Sequence, residues 1–277
     1  MENKTLQLNT LTDGLHFLSL GGIGEIGANC YLYGCDGKWI MIDLGLTFAD
    51  ERFPGVDLLV PKIDHIDSIQ DNLEAIIISH GHEDHAGAVA FFANKIKCPV
   101  YATKFAKLLI ENRLKEFNKN EGFILNELSL DEELILNNFK LNFIPTTHSI
   151  PEPSAIVIQT SYGSLLHTAD WKIDKSPTLG NSFSKHQFEK IGNAGLLALI
   201  GDSTNANVPG TSKSENDVRE ELTKIFSRFS NRIVVTCFSS NIARMKNIIY
   251  AAKKNKRKVA LVGRSMKKNI ESAKKCG

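Results

Sequence analysis

The hydrophobic pattern gives the chain two textures. Through the first 170 positions short apolar runs alternate with Gly, Asn and Asp clusters, as strands separated by turns do, at 15–20, 29–33, 39–42, 75–78, 99–101, 133–136, 139–144, 155–160 and 164–168. Helical spacing is limited there to 87–95 and 103–118, and residues 46–72, which carry Pro54, Pro61 and His65, read as a polar loop with a short helix and His65 on the surface. From 196 the pattern becomes a regular alternation: a buried-type strand at 196–200, a helix over 214–228, a strand at 232–237, a helix to about 252, a strand at 258–262 and a last helix. Ser214 caps the first of these helices, with Glu215 and Asp217 in its first turn. The chain is therefore α/β throughout, with a boundary between 1–195 and 196–277.

Gly21-Gly22-Ile23-Gly24-Glu25-Ile26-Gly27 follows the first strand and contains a G-x-G-x-x-G, the dinucleotide fingerprint. That fingerprint needs a helix directly afterwards. Here Asn29 to Tyr33 is strand-like, Gly34 to Lys38 turns, and Trp39 to Ile42 is a strand again, so a hairpin takes the helix's place. The glycines instead let backbone pass close to a neighbouring site.

The chemistry concentrates in Ser79-His80-Gly81-His82-Glu83-Asp84-His85, where four metal-ligating side chains fall within six residues in the order H-x-H-x-D-H. These offsets suit neither one helix face nor a regular strand, and place the run on a strand-to-helix loop. Imidazole nitrogen and carboxylate oxygen are donors that a borderline ion such as Zn²⁺ prefers. His148 in Thr147-His148-Ser149 and Asp170 in Thr168-Ala169-Asp170 also stand where an apolar strand breaks, so three strand ends offer donors to one sheet edge. Asp43 ends the strand 39–42; it is either a turn former or the carboxylate partner that ligating imidazoles commonly need. His16 and His167 lie inside strands as structural residues, and His186 falls on an exposed helix face.

Composition narrows the setting. The length of 277 residues allows one large or two smaller domains, and the five cysteines are odd in number with no C-x-x-C, which argues against a disulfide scaffold and for a reducing cytoplasm. The N-terminus has no apolar signal region and no run approaches a membrane span. Net charge is +2, yet twelve of the 33 basic residues and one of the 31 acids lie in 244–277. Such an end either faces nucleic acid or presents solvated helix faces.

Taken together, Gly21 to Gly27, Ile42-Asp43-Leu44-Gly45, the 80–85 loop, Thr147-His148-Ser149, His167-Thr168-Ala169-Asp170 and Gly201-Asp202-Ser203-Thr204-Asn205 resemble the metallo-β-lactamase superfamily, and within it the β-CASP ribonucleases of the ribonuclease J type. The resemblance implies an incomplete αββα sandwich followed by the start of a parallel-sheet β-CASP domain. It implies His80, His82, His148 and Asp170 around one divalent ion and Asp84, His85 and the shared Asp170 around a second, with Zn²⁺ first and Mn²⁺ or Mg²⁺ as alternatives. Asp84, His85 and Asp170 would carry the chemistry, Asp43 would orient a ligating imidazole, and Asp202, Ser240 and Asn241 would face RNA. The implied activity is hydrolysis of single-stranded, 5′-monophosphorylated RNA, endonucleolytic and 5′-to-3′ exonucleolytic, by a dimer or tetramer away from membranes. Against the family pattern the chain stops inside the inserted domain, before later histidines that include a metal ligand and the candidate general acid, so this stretch alone is expected to be weakly active or inactive. The competing readings are a small-molecule hydrolase of the same fold, a thioesterase or lactonase, and an inactive RNA-binding remnant.

Overall fold

A computed structural model describes residues 7–119 and 122–277; the N-terminal segment read above as lacking a signal region lies largely outside them. The chain begins with β1 (Leu15–Gly21), β2 (Cys30–Cys35) and β3 (Lys38–Ile42), an antiparallel meander in which Gly34 stands opposite Trp39 and Cys35 opposite Lys38. A small ribbon, β4 (Thr47–Phe48) with β5 (Leu58–Leu59), leads to β6 (Leu73–Ile78), β7 (Val100–Thr103) and β8 (Leu125–Leu128), which join the same sheet in parallel in the order β1-β2-β3-β6-β7-β8. The second sheet holds β9 (Leu134–Ile135), β10 (Lys140–Pro145), β11 (Ser154–Thr160), β12 (Gly163–His167) and β13 (Ala198–Ile200), with β13 parallel to β12.

The continuous apolar run of β6 exists because both faces are covered. Ala75 and Ile77 point between the sheets with Ile40, Ile42, Leu141, Phe143, Ile156 and Ile158, whereas Ile76 and Ile78 point the other way, against Ile66, Val89 and Ile110. Each such isoleucine, fully buried, contributes about 1.5–3 kcal/mol relative to exposure. The outer face of the second sheet, through Val157 and Leu166, takes Phe188 and Ile191. Helices therefore cover both outer faces, and the layers run αββα.

The helices are α1 (Glu83–Ala86), α2 (Lys104–Glu116), α3 (Lys185–Ala194), α4 (Glu215–Ser227), α5 (Ile242–Lys254) and α6 (Arg264–Cys276). Ser214 caps α4 in a reciprocal capping box with Asp217. Ile242 and Met245 of α5 and Ile270 of α6 cluster with Phe105 of α2 and with Ile150, reinforced by a Lys268–Glu116 ion pair, and α4 packs on α5 through Phe226, Ala251 and Ala252. Among the described residues no helix is long and apolar enough to cross a membrane.

Several expectations change. Residues 87–95 form successive turns instead of a helix: Ala88, Val89 and Ala90 are buried on all sides, and Leu44 accepts the Ala88 N–H at 3.0 Å, which takes that donor out of any helical ladder. The strand at 196–200 shortens to β13, exposes Leu199, and joins the edge of the second sheet beside β12, where Ile200 O also accepts from Thr168 N at 2.9 Å. The expected boundary at 195/196 thus falls within the connection between two paired strands. Residues 232–237 and 258–262 run without ladder partners; both line a hollow of about 380 Å³ with α5, and Val234 and Val262 stand exposed. His65 is half-buried, not a free surface residue, with Nδ1 enclosed and unpartnered.

Candidate metal centre

The site is knitted from three loops before any donor is counted. Gly45 N donates to Asn29 O, Asn29 N to Asp84 O and Leu44 N to His85 O, at 2.8–2.9 Å. A β-carbon on Gly45 would lie 1.6 Å from Asp84 O, so only glycine permits this approach. Asp43, in the same turn, has φ +62°, a conformation that non-glycine residues adopt rarely and that concentrates at functional sites. The fully buried Asp43 carboxylate accepts from Ser79 N at 2.7 Å, from Ser79 Oγ at 2.8 Å and from His85 Nδ1 at 2.7 Å.

β6 ends at Ile78, and the 80–85 loop turns into α1 with His82 at its N-cap. The break after β10 brings His148 in, and the break after β12 brings Asp170. His80, His82, His148 and Asp170 form one group of donors and Asp84, His85 and Asp170 another, each with its donor atoms within 4.8 Å of one another. In the first, His82 Nδ1 lies 3.1 Å from both His80 Nε2 and His148 Nε2, and His148 Nε2 lies 3.6 Å from Asp170 Oδ2. In the second, His85 Nε2 lies 3.2 Å from Asp170 Oδ1 and 3.6 Å from Asp84 Oδ2. Donors bound tetrahedrally at Zn–N and Zn–O lengths stand about 3.3 Å apart, so these spacings of 3.1–3.6 Å are compatible with a divalent ion in each group. The outward nitrogens are held as well: Ser149 Oγ meets His82 Nε2 at 3.2 Å and Ser79 Oγ meets His80 Nδ1 at 3.1 Å.

Electrostatics separate the histidines. Burial and the neighbouring imidazoles push His80 well below its ordinary pKa and His82 down to about 3, and burial lowers His148 despite Asp170. Neutral imidazole is the form that ligates. Burial disfavours charge on His85 too, but Asp43 and Asp170 outweigh it and hold it well above the usual range. Burial raises Asp84; in Asp170 the same effect is overcome by the His85 hydrogen bond and by three imidazoles, leaving it at about 2.

The remaining named residues fall elsewhere. Asp202 belongs to neither donor group: its N–H donates to Thr168 Oγ1 at 2.9 Å and its Oδ1 accepts from Thr204 N at 2.7 Å, stiffening the loop after β13. Ser240 lines a cleft of about 680 Å³ that also takes in His82, Asp84, Arg113 and Lys268. Asn241 is the N-cap of α5, its Oδ1 accepting from Arg244 N at 2.8 Å. His186 is exposed on α3, and His16 Nε2 lies 2.8 Å from Asp13 O. His167 is buried, paired through Nδ1 to Tyr33 Oη at 2.9 Å, with Nε2 unpartnered and burial lowering its pKa to about 4. Sequence reasoning passed over Asn29, Ser79 and Ser149. The signal was present for Ser149, a hydroxyl beside a candidate ligand; for Asn29 it was a lone carboxamide at the head of an apolar strand.

Comparison with known proteins agrees with this geometry. Residues 23–185 match the family model of the metallo-beta-lactamase superfamily, and 230–277 match that of the ribonuclease J beta-CASP domain. The chain is 41% identical over 268 residues to Ribonuclease J of Sinorhizobium meliloti, covering 95% of this chain and 47% of that protein. It is 35% identical to Ribonuclease J2 of Bacillus subtilis over 96% of this chain and 48% of the relative, and 38% identical to Ribonuclease J of Thermus thermophilus over 92% and 46%. The chain thus spans about half the length of these curated relatives. A crystal structure of a protein of unknown function from Enterococcus faecalis V583 aligns over 87% of this chain and 67% of its own, with TM-score 0.58 and 16% identity, a likeness of fold.

Proposed function

Because the chain belongs to the metallo-β-lactamase superfamily, in its ribonuclease J-like β-CASP branch, we propose that it is the nuclease portion of an enzyme that hydrolyses RNA phosphodiester bonds with two divalent ions. The observation that carries this reading is Asp170, whose two carboxylate oxygens face different donor groups, Oδ1 toward His85 and Oδ2 toward His148. His80, His82 and His148 would hold one ion, Asp84 and His85 the other, and Asp170 would join them. Ions so held would polarise a phosphodiester and offset its charge.

The chain's own residues do the rest. Three neutral imidazoles would leave an ion in the first group strongly cationic, while Asp170 and Asp84 would partly offset the charge of a pair. Asp43 holds His85 with Nδ1 turned inward and Nε2 toward the donors. The cleft along His82 and Asp84 carries Arg113 on α2, paired to Glu83, and Lys268 on α6, paired to Glu116, so a polyanion running between the sandwich and α6 would have to draw both cations from those acids. The sandwich would extend through β13, and the second unit would begin after residue 200. Five unpaired cysteines, three of them buried, suit a reducing cytoplasm.

The test is chelator-sensitive cleavage of a 5′-monophosphorylated single-stranded RNA by the metal-loaded protein, beside the same RNA bearing a 5′-triphosphate and an acyl-thioester control. Cleavage of the RNA alone supports the reading, and 5′-monophosphate preference its exonucleolytic form. Turnover of the thioester with RNA untouched would return the chain to the small-molecule hydrolases of the fold.

A further inference from the structure

The side chain of Asn29 is placed against the second donor group, yet it belongs to neither set of ligands. Its Nδ2 lies 3.1 Å from Asp84 O and 3.1 Å from His85 Nε2, and its Oδ1 accepts from Tyr31 Oη at 2.8 Å. A backbone carbonyl can only accept, so the contact with Asp84 fixes which end of the carboxamide is nitrogen. One of the two N–H bonds is thereby committed. The other faces His85 Nε2, the atom that stands 3.2 Å from Asp170 Oδ1 and 3.6 Å from Asp84 Oδ2. When His85 gives that lone pair to an ion, this second N–H loses its acceptor on the ring and is directed at whatever anionic atom occupies the same corner.

The glycine-rich loop is shaped around this amide. A β-carbon on Gly22 would lie 2.5 Å from Asn29 Oδ1 and 2.3 Å from Tyr31 Oη, so the glycine, at φ +84°, leaves the space the pair occupies. Asn29 is also tied at both ends of its own backbone, N to Asp84 O and O to Gly45 N. A half-exposed carboxamide rarely receives this much fixation unless its direction matters.

We propose that Asn29 is a substrate-binding residue that donates its free Nδ2–H to a non-bridging phosphoryl oxygen seated at the Asp84–His85–Asp170 group. The proposal rests on the reading of the site as one for phosphate esters, and adds a donor that is neither an ion nor an ion's ligand. Preorganised donors aimed at a position where negative charge gathers are among the larger contributors to catalysis.

The experiment measures inorganic phosphate binding to the full chain under excess Mn²⁺, by calorimetry, with bound metal counted separately. Asn29→Ala should keep the parent's metal content and bind phosphate about tenfold or more weakly, the scale of a hydrogen bond to a charged group. Tyr31→Phe, which frees the amide without removing it, should give an intermediate loss, and thermal melting of both variants reports their folding. Equal phosphate affinity in parent and Asn29→Ala, no phosphate binding by the parent, or loss of metal from Asn29→Ala would each overturn the proposal. Because no RNA is used, a protein that passes here but leaves RNA intact would sink the nuclease reading and leave Asn29 as a phosphate donor.

Discussion

Asp43 Oδ2 and His85 Nδ1 meet at 2.7 Å across 42 positions of sequence, both buried, and the contact turns His85 Nε2 toward Asp84 and Asp170. The carboxylate acts on the donor group through the ring it holds. Removing such a partner costs a metal site about 10–100-fold in affinity. Asp43→Ala should therefore weaken binding at the Asp84–His85–Asp170 group by that factor, measured by competition with a chromophoric chelator, and leave the His80–His82–His148 group nearly unchanged. Equal weakening at both would show that Asp43 supports the loop as a whole, through its bonds to Ser79.

Acid should destabilise the metal-free protein for an identifiable reason. Burial lowers His80, His82, His148 and His167, with His82 at about 3 and His167 at about 4. As pH falls through about 6.5 the unfolded chain protonates these rings and the native one does not, so the unfolded state binds more protons and stability drops. His85 has the opposite sign: its raised pKa contributes stability below about 6.5 that is lost as pH rises through the native value. The urea midpoint in chelator should fall between about pH 6.5 and pH 4, and less steeply in His167→Gln. A flat midpoint across that window would contradict the sign.

Much of this was legible in the sequence, and what was not has physical causes. The H-x-H-x-D-H loop and the strand breaks at His148 and Asp170 could be read because four donors at offsets that fit no regular element have few uses other than converging. The strands at 232–237 and 258–262 could not be placed, since an apolar β-branched run states a preference for extended backbone and says nothing about a partner. β13 looked like the opening of a new sheet because its residues carry no mark of which neighbour they pair with. The segment 87–95 has helical spacing, but its small residues are enclosed by neighbours that take the backbone's hydrogen bonds; tertiary context overrode propensity.

Asp174 ties the start of α4 to the loop that carries His148. Its buried carboxylate accepts from Ser214 Oγ at 2.6 Å and from Glu215 N at 3.0 Å at the start of α4, and from Ser176 N at 2.9 Å, while its own N–H donates to Thr147 Oγ1 beside His148. Glu215 in turn meets Arg244 of α5 at 3.0 Å. Burial works against charge on Asp174, but the Ser214 hydroxyl and the backbone donors keep its pKa below the usual carboxylate range. Asp174→Ala would strand those donors at a cost of about 1–3 kcal/mol. It should lower the melting temperature and open the 201–213 segment to limited proteolysis, with Asp174→Asn intermediate. Unchanged melting and cleavage would make the contact incidental.

The two donor groups are unequal, and the inequality can be counted. The first offers His80, His82, His148 and Asp170, a full tetrahedral set, whereas the second offers, among the described residues, Asp84, His85 and the same Asp170. The first also binds without a proton to displace, because its imidazoles are held neutral, while His85 must give up a proton that Asp43 and Asp170 retain. Titration with Zn²⁺ near neutral pH should thus show one tight equivalent and a second, weaker one whose affinity increases with pH. His148→Ala should abolish the tight equivalent, and His85→Ala should spare it. Two equally tight, pH-independent equivalents would mean that a further donor completes the second group, and if His186→Ala then removed one of them, α3 would have to be the element that supplies it.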